Sequence, residues 1–501
     1  MRKTKFFRMN SFFGILILLP PIITANTARA ESTSFYGIKL QENATKLGSS
    51  GIVFADSIGI QDIPGLHPWN KFENCLSINE CGKSDQYIYK AFAPVCSDAL
   101  TTNCIADFWV EKNGKKYHPK FESYAPAKPP YEFKGDLDRN LPSSKSPSIW
   151  TIQDQAFGSD RKFFAVNLIF RGLTAFGDRT FGYSQVNGSI DQIEWKRAAV
   201  QNLLPTNLEY DCAAVEEDLC AQRVEPDSKI RYGLSFRQTL TTSPWIYGRL
   251  FEPNFTLGDS KPWPQWTIEA APLLVPSISG SISNSLINSK FPDGFRTPWG
   301  VRYLSSELNA VDLFEKLRPS MGEKALNLQS RWNFSINRED LYSRYKNCSS
   351  VGPIGFITTN ANVYQGEPPR TLGTSEAVNF QSASTHLEPN GSEFRGYFQF
   401  KMDSKFANCL YSVTSGVIKA DVSVIDDKGL KKIATTSFSN GSKWLTFTAS
   451  NFTFSKSIFQ LKIFSGKELS NKSTVTCLKG KKTKKVTAVK PKCPAGYKKV
   501  A

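Results

Sequence analysis

From about residue 31 to 275 the apolar positions fall in short runs of alternating or continuous hydrophobicity, each closed by turn residues. Gln86–Phe92 (QYIYKAF), Phe163–Phe170 (FFAVNLIF), Ile230–Phe236 (IRYGLSF) and Trp245–Phe251 (WIYGRLF) are rich in aromatic and β-branched residues and read as strands. Pro-rich breaks at Ala125–Pro130 (APAKPP) and Lys261–Pro264 (KPWP) punctuate them. Short strands without amphipathic helices between them predict sandwiches, not a parallel sheet with crossover helices. Helical spacing is scarce. It is clearest over Ser305–Leu317, where Leu308, Val311, Phe314 and Leu317 recur every third residue and Pro319 is expected to end the helix. A second short helix is expected over Glu323–Ser330, ahead of Trp332.

The pattern changes after position 345. Phe398, Phe400 and Met402 alternate with Tyr397, Gln399 and Lys401, predicting a half-buried strand. Ile418, Ala420, Val422 and Val424 alternate likewise and run into Asp426-Asp427-Lys428-Gly429, a hairpin turn. Asn440-Gly441 is a second turn, between strands expected at Ile433–Phe438 and Trp444–Thr448. The expected fold is mainly β: tandem sandwich-like domains with a short helical insert and a C-terminal disulfide-stapled hairpin. Its parts are a leader at 1–30, a β-rich region at 31–290 with room for two sandwiches, and a linker with short helices at 291–345. An immunoglobulin-like sandwich at 346–468 and a basic module at 469–501 follow.

Cysteine and leader chemistry place the chain outside the cell. Arg2, Lys3, Lys5 and Arg8 precede the apolar run Phe12–Ile23, and Ala28-Arg29-Ala30 offers a small-x-small cleavage site before Glu31. That is the pattern of a secretory signal, too short for a comfortable membrane span, and no later run approaches that length. All ten cysteines follow it, an even number that reads as disulfides in an oxidising compartment. Nearness in sequence gives the expected pairs Cys75–Cys81, Cys96–Cys104, Cys212–Cys220, Cys348–Cys409 and Cys477–Cys493. There is no C-x-x-C and hardly any histidine near them, so zinc and redox readings are poor.

Charge sharpens the picture at one end. The formal net charge is +17; removing five cations of the leader and nine lysines of residues 477–501 leaves +3 for the body. The final segment (CLKGKKTKKVTAVKPKCPAGYKKVA) holds Lys479, Lys481, Lys482, Lys484 and Lys485 within seven residues and has no acid. Val475–Lys479 is expected to pair with Lys485–Val489 across Gly480–Lys484, stapled by Cys477–Cys493 because so small a unit has no core. Three readings are open for these lysines: attachment to anionic envelope polymers, nucleic-acid binding, or a passive solvated end. Export and the lack of interleaved aromatics argue against nucleic acid.

The tail TCLKGKKTKKVTAVKPKCPAGYKK resembles a short C-terminal module of exported actinobacterial proteins. Phe380–Ser455 (FQSASTHLEPNGSEFRGYFQF…CLYSVTSGVIKADVSVIDDKG…FTFS) resembles a domain in uncharacterised secreted proteins of the same bacteria. Val95–Val110 (VCSDALTTNCIADFWV) is similar, less specifically, to an N-terminal element there. The resemblance implies an exported or cell-surface protein and brings no catalytic or binding residues with it.

Signs of catalysis are thin. His67, His118 and His386 are the only histidines; the first two precede or adjoin Pro and read as turn residues. Neither G-x-S-x-G nor H-E-x-x-H occurs. Asp136/Asp138, Glu216/Glu217/Asp218 and Glu339/Asp340 are adjacent carboxylates, but glycoside hydrolysis needs carboxylates facing across a bond, which adjacency does not supply. Asp136-x-Asp138-x-Asn140 imitates the start of a calcium loop, yet Leu141 stands where Gly is required and Pro147 where the bidentate Glu belongs. No metal and no cofactor are expected. Tryptophan is the better ligand signal, and Trp263 and Trp266, in a Pro-rich loop, are the candidates for stacking on a sugar, against the alternative that they fill a core. The expectation is therefore an exported, non-catalytic surface protein that binds anionic envelope polymers or glycans. The alternative is a secreted carbohydrate-active hydrolase built on the N-terminal β region.

Overall fold

The computed structural model describes residues 35–499 apart from several intervals, the longer being 41–52, 57–72, 75–85, 198–211, 287–309, 338–347 and 367–376. The leader, His67, Asp136/Asp138/Asn140, Glu217/Asp218, Glu339/Asp340, Lys481 and the Cys75–Cys81 pairing lie outside the described residues.

The fold is mainly β. Its frame is one fifteen-stranded sheet whose main path runs through both halves of the chain. In spatial order that path is Thr435–Asn440, Trp444–Thr453, Arg395–Asp403, Gly355–Thr359, Trp245–Arg249, Asn333–Asn337, Tyr183–Arg197, Lys162–Ala175 and Gln86–Phe92, then two short strands, Val53–Asp56 and Glu73–Asn74. A five-stranded sheet (Phe251–Gly258, Gln265–Ala271, Ile230–Arg237, Cys104–Lys112, Lys115–Tyr117) covers its N-terminal part. Between them lies an aromatic core in which Phe108 meets Trp150, Phe164 and Tyr232, and Phe236 stacks on Trp266 and Phe334. A four-stranded sheet (Val363–Tyr364, Val378–Ala383, Ser457–Phe464, Lys419–Ile425) covers the C-terminal part over a second core, where Phe398 stacks on Phe459 at 3.9 Å.

The two smaller sheets lie on opposite faces of the shared one. Ile246 and Phe356 belong to the first core, whereas their neighbours Trp245, Tyr247 and Ile357 belong to the second. Alternate side chains of a strand leave opposite faces, so the central strands are sealed on both sides. Trp245–Arg249 is buried at every position and holds the junction, pairing antiparallel with Asn333–Asn337 and parallel with Gly355–Thr359. Gly248 is required there, because a Cβ would come within 2.1 Å of the Asn333 carbonyl oxygen.

A buried polar cluster locks this junction. Arg249, fully buried, donates from Nη1 to the Thr359 carbonyl (2.7 Å) and from Nη2 to the Asn362 carbonyl (3.1 Å), and its guanidinium lies 4.6 Å from the Tyr364 ring centre. Asn362 Nδ2 bonds the Pro276 carbonyl, while its Oδ1 accepts from Thr385 N–H and Ser384 Oγ. Buried backbone carbonyls need such partners wherever the sheet ladder does not satisfy them.

Helix α1 (Ala310–Met321) buries Val311, Phe314, Leu317 and Met321 along one stripe and packs against Leu273–Ser283, a strand of a three-stranded sheet. Its last turn rests on Gly280, where a Cβ would meet the Ser320 carbonyl oxygen at 2.0 Å. Helix α2 (Ser404–Leu410) is capped by Asp403, whose carboxylate accepts from Phe406 N–H at 2.8 Å.

The expected disulfides Cys96–Cys104, Cys348–Cys409 and Cys477–Cys493 are formed, and Cys220 is disulfide-bonded as well; the Cys212 side chain lies outside the described residues. Among the described residues no helix is long and apolar enough to cross a membrane. Several local expectations are corrected. Pro319 sits inside α1, because the stop is made by Gly322 at φ +79°, whose N–H bonds the Arg318 carbonyl. The helix expected at Glu323–Ser330 is absent: Asn327–Arg331 is a strand, drawn into the ladder of Leu273–Ser283. Trp245–Phe251 is two strands in different sheets, the chain crossing over at Leu250. The strand around Phe400 is buried on both faces, not one, because Phe251 and Leu273 pack over Tyr397. Asp426–Gly429 does turn the chain, but the next strand joins the opposite sheet.

Candidate functional site

The basic C-terminal module is a three-stranded antiparallel sheet. Ser473–Lys479 pairs with Lys482–Ala488 on one side and with Lys498–Lys499 on the other. Gly480, at φ +57°, supplies the left-handed residue that a two-residue hairpin connection needs. The register is therefore Lys479 opposite Lys482 and Cys477 opposite Lys484, tighter than the expected pairing of Val475–Lys479 with Lys485–Val489 across a five-residue loop. Cys477, fully buried, bonds Cys493 and returns the chain through a turn closed by Tyr497 N–H to the Pro494 carbonyl.

This geometry spreads the lysines over an ordered surface. Directly paired residues share a face, so Lys479, Lys482, Lys484 and Lys499 stand with the buried Val475 and Cys477, and Lys498 stands opposite with Leu478. With strands spaced about 4.8 Å, Lys484 and Lys499, flanking Cys477, have backbones about 10 Å apart. Lys479, Lys482, Lys484, Lys492, Lys498 and Lys499 are exposed, and the Lys479 ammonium lies against Gly496. Residues 469–501 carry ten Lys and no acid, so no carboxylate side chain of the module itself neutralises the array. Lys485 lies on the second strand opposite Thr476. Lys492, Lys498 and Lys499 were not among the expected site residues; the final Tyr-Lys-Lys-Val is the signal for a third strand, but two residues are too few for an alternation to show.

Within this module only Val475 and Cys477 are buried apolar residues among those described, so the bridge supplies most of its cohesion. Closing its loop of about 16 residues is worth roughly 3 kcal/mol in the chain-entropy account. Replacing Cys477 and Cys493 with Ser should melt the hairpin while leaving the two sandwiches intact. Amide hydrogen exchange would show protection lost over 473–488 and retained over 395–403.

The tryptophans do not form a sugar platform. Trp266 is 1% exposed, stacked on Phe236 with Phe255 edge-on, so it is a core residue and its expected ligand role is withdrawn. Trp263, two residues from the strand and half-buried, is not joined by it into a pair of open faces. Trp109 lies flat over Gly233 on the outer face of the five-stranded sheet, and Lys116 Nζ covers it at 4.6 Å from the ring centre. His118 occupies the break between strands that its Pro neighbour predicts and contacts Asp107 Oδ1 at 3.2 Å; His386 Nδ1 contacts Glu323 Oε2 at 2.9 Å. Burial is the largest influence on His386 and holds its pKa below the usual imidazole value, against the pull of Glu323. Among the described residues no group of three or more His, Cys, Asp or Glu is placed to hold a metal. The candidate site is thus the lysine-bearing hairpin. No known protein family matches this chain, and neither does any characterised protein.

Proposed function

We propose that the protein is exported and works without catalysis, holding anionic polymers of the cell envelope through its C-terminal hairpin. The observation that carries this reading is the disulfide-closed module bearing six exposed lysines, five of them on its sheet, and no acid. A closed ladder fixes the spacing of the charges, so a polyanion meets a preorganised array and the side-chain ordering cost falls on the lysine stems alone. The disulfides fit an oxidising compartment, and the resemblance of the tail to modules of secreted actinobacterial proteins supports the same location.

The test is retention of the full chain on immobilised inorganic polyphosphate and on isolated cell walls. Changing Lys479, Lys482, Lys484, Lys498 and Lys499 to Gln should weaken retention tenfold or more, and added salt should release the wild type. Equal retention of the Gln variant, or retention indifferent to salt, would overturn the reading.

A further inference from the structure

We infer that the loop Lys428–Ile433 is a membrane-interface anchor that seats Leu430 and Ile433 in an anionic lipid surface. Ile433 is 94% exposed and Leu430 64%, the two most exposed large apolar residues among those described. A single exposed aliphatic side chain is ordinary on a protein surface. Two of them three residues apart, on a loop built to present them, are a feature.

The loop is tied at both ends. Asp426 folds its carboxylate inward to accept from Lys428 N–H (2.9 Å) and Leu430 N–H (2.8 Å), and its own N–H bonds the Leu430 carbonyl (2.9 Å). Gly429 takes the left-handed turn position at φ +78°. At the other end Lys432 N–H bonds the Val424 carbonyl (2.8 Å), and Lys432 Nζ reaches Ser457 Oγ (3.0 Å). Leu430 and Ile433 therefore project from a fixed backbone where the chain crosses from the four-stranded sheet to the edge strand Thr435–Asn440. Fixing the backbone beforehand removes the ordering cost of insertion.

Charge selects the occupant. Lys428 and Lys431 are exposed on either side of Leu430. The sequence of 426–433 holds Lys428, Lys431 and Lys432 against two aspartates, a net charge of +1, and Asp426 turns its carboxylate in toward the Lys428 and Leu430 N–H groups. Apolar tips flanked by lysines match a surface with acyl chains beneath negative headgroups. A second copy of the chain would bring the same lysines together and is disfavoured. This inference concerns a different element from the hairpin and stands or falls separately from polymer binding.

The test uses the full chain and vesicles of phosphatidylglycerol with phosphatidylcholine, against vesicles of phosphatidylcholine alone. An environment-sensitive dye attached through Ile433→Cys should shift to the blue on the anionic vesicles, and keep that shift when the tail lysines are changed to Gln. Leu430→Ser with Ile433→Ser should lower vesicle binding roughly tenfold while leaving polyphosphate retention unchanged. No dye shift, or equal binding by the double Ser variant, overturns the inference. So does sedimentation showing a wild-type dimer that the double Ser variant abolishes, since a second copy then covers the loop.

Discussion

Changing Arg249 to Met should lower the stability of the whole molecule by about 4 kcal/mol, a melting-point loss on the order of 10 °C. Met keeps much of the stem volume and removes the charge, so the effect isolates the guanidinium. Burying a cation is costly, and replacing a buried ion pair with apolar side chains can be neutral. Here the guanidinium serves backbone carbonyls, those of Thr359 and Asn362, which cannot be replaced in step as a carboxylate could. Each remains buried in the variant with a partner lost, at roughly 1–3 kcal/mol apiece, and the contact with the Tyr364 ring goes too. Calorimetry or chemical denaturation reads the result. A Met variant as stable as the wild type would show that these carbonyls find other partners, and the junction would lose its proposed lock.

Gly248 tests the join itself. A methyl group at this position would meet the Asn333 carbonyl oxygen at 2.1 Å and Phe334 Cα at 2.8 Å, both backbone atoms that cannot rotate away. Gly248→Ala should therefore push Trp245–Arg249 off Asn333–Asn337, at a cost of about 4 kcal/mol or more. The expected signature is a change in cooperativity as well as in stability. The wild type, with one sheet common to both cores, should melt in a single calorimetric transition. The variant should melt in two, the C-terminal core outlasting the N-terminal one. Should the variant fail to accumulate, the single transition of the wild type still tests the shared sheet, and two well-separated wild-type transitions would falsify it.

Much of the fold was legible because local periodicity and turn chemistry agree with it. Gln86–Phe92 is a strand over its whole expected length, and Asn440-Gly441 closes the hairpin between its neighbours. Cys96–Cys104 and Cys477–Cys493 follow nearness in sequence because each closes a short local unit, 8 and 16 residues apart, whereas Cys348–Cys409 ties chain 61 residues apart across several strands. What could not be read was partnership at long range. The alternation of Phe398, Phe400 and Met402 identified an inner face, but it carried no sign that Tyr397 would be covered by Phe251 and Leu273. WIYGRLF did carry such a sign: a run without alternation is how a strand sealed on both faces reads. Trp266 misled because an indole in a Pro-rich loop looks the same in sequence whether it faces water or Phe236. The lysines of the tail were visible from composition, whereas their register depended on Gly480 adopting a left-handed turn. Ile433 looked like the first residue of a strand; in the structure the strand begins at Thr435 and leaves it outside.

The position of Trp245–Arg249 has a consequence for the timing of assembly. Both of its neighbours, Asn333–Asn337 and Gly355–Thr359, come from chain that is synthesised nearly a hundred residues later. Until residue 337 has emerged this strand has two bare backbone edges, and until residue 359 has emerged it keeps one. Contacts so distant in sequence slow folding, because the loop must close before its pairing is rewarded. On the proposed route of export, with the chain crossing a membrane unfolded, that delay would be an advantage: the first half cannot lock into its final shape before the second half arrives.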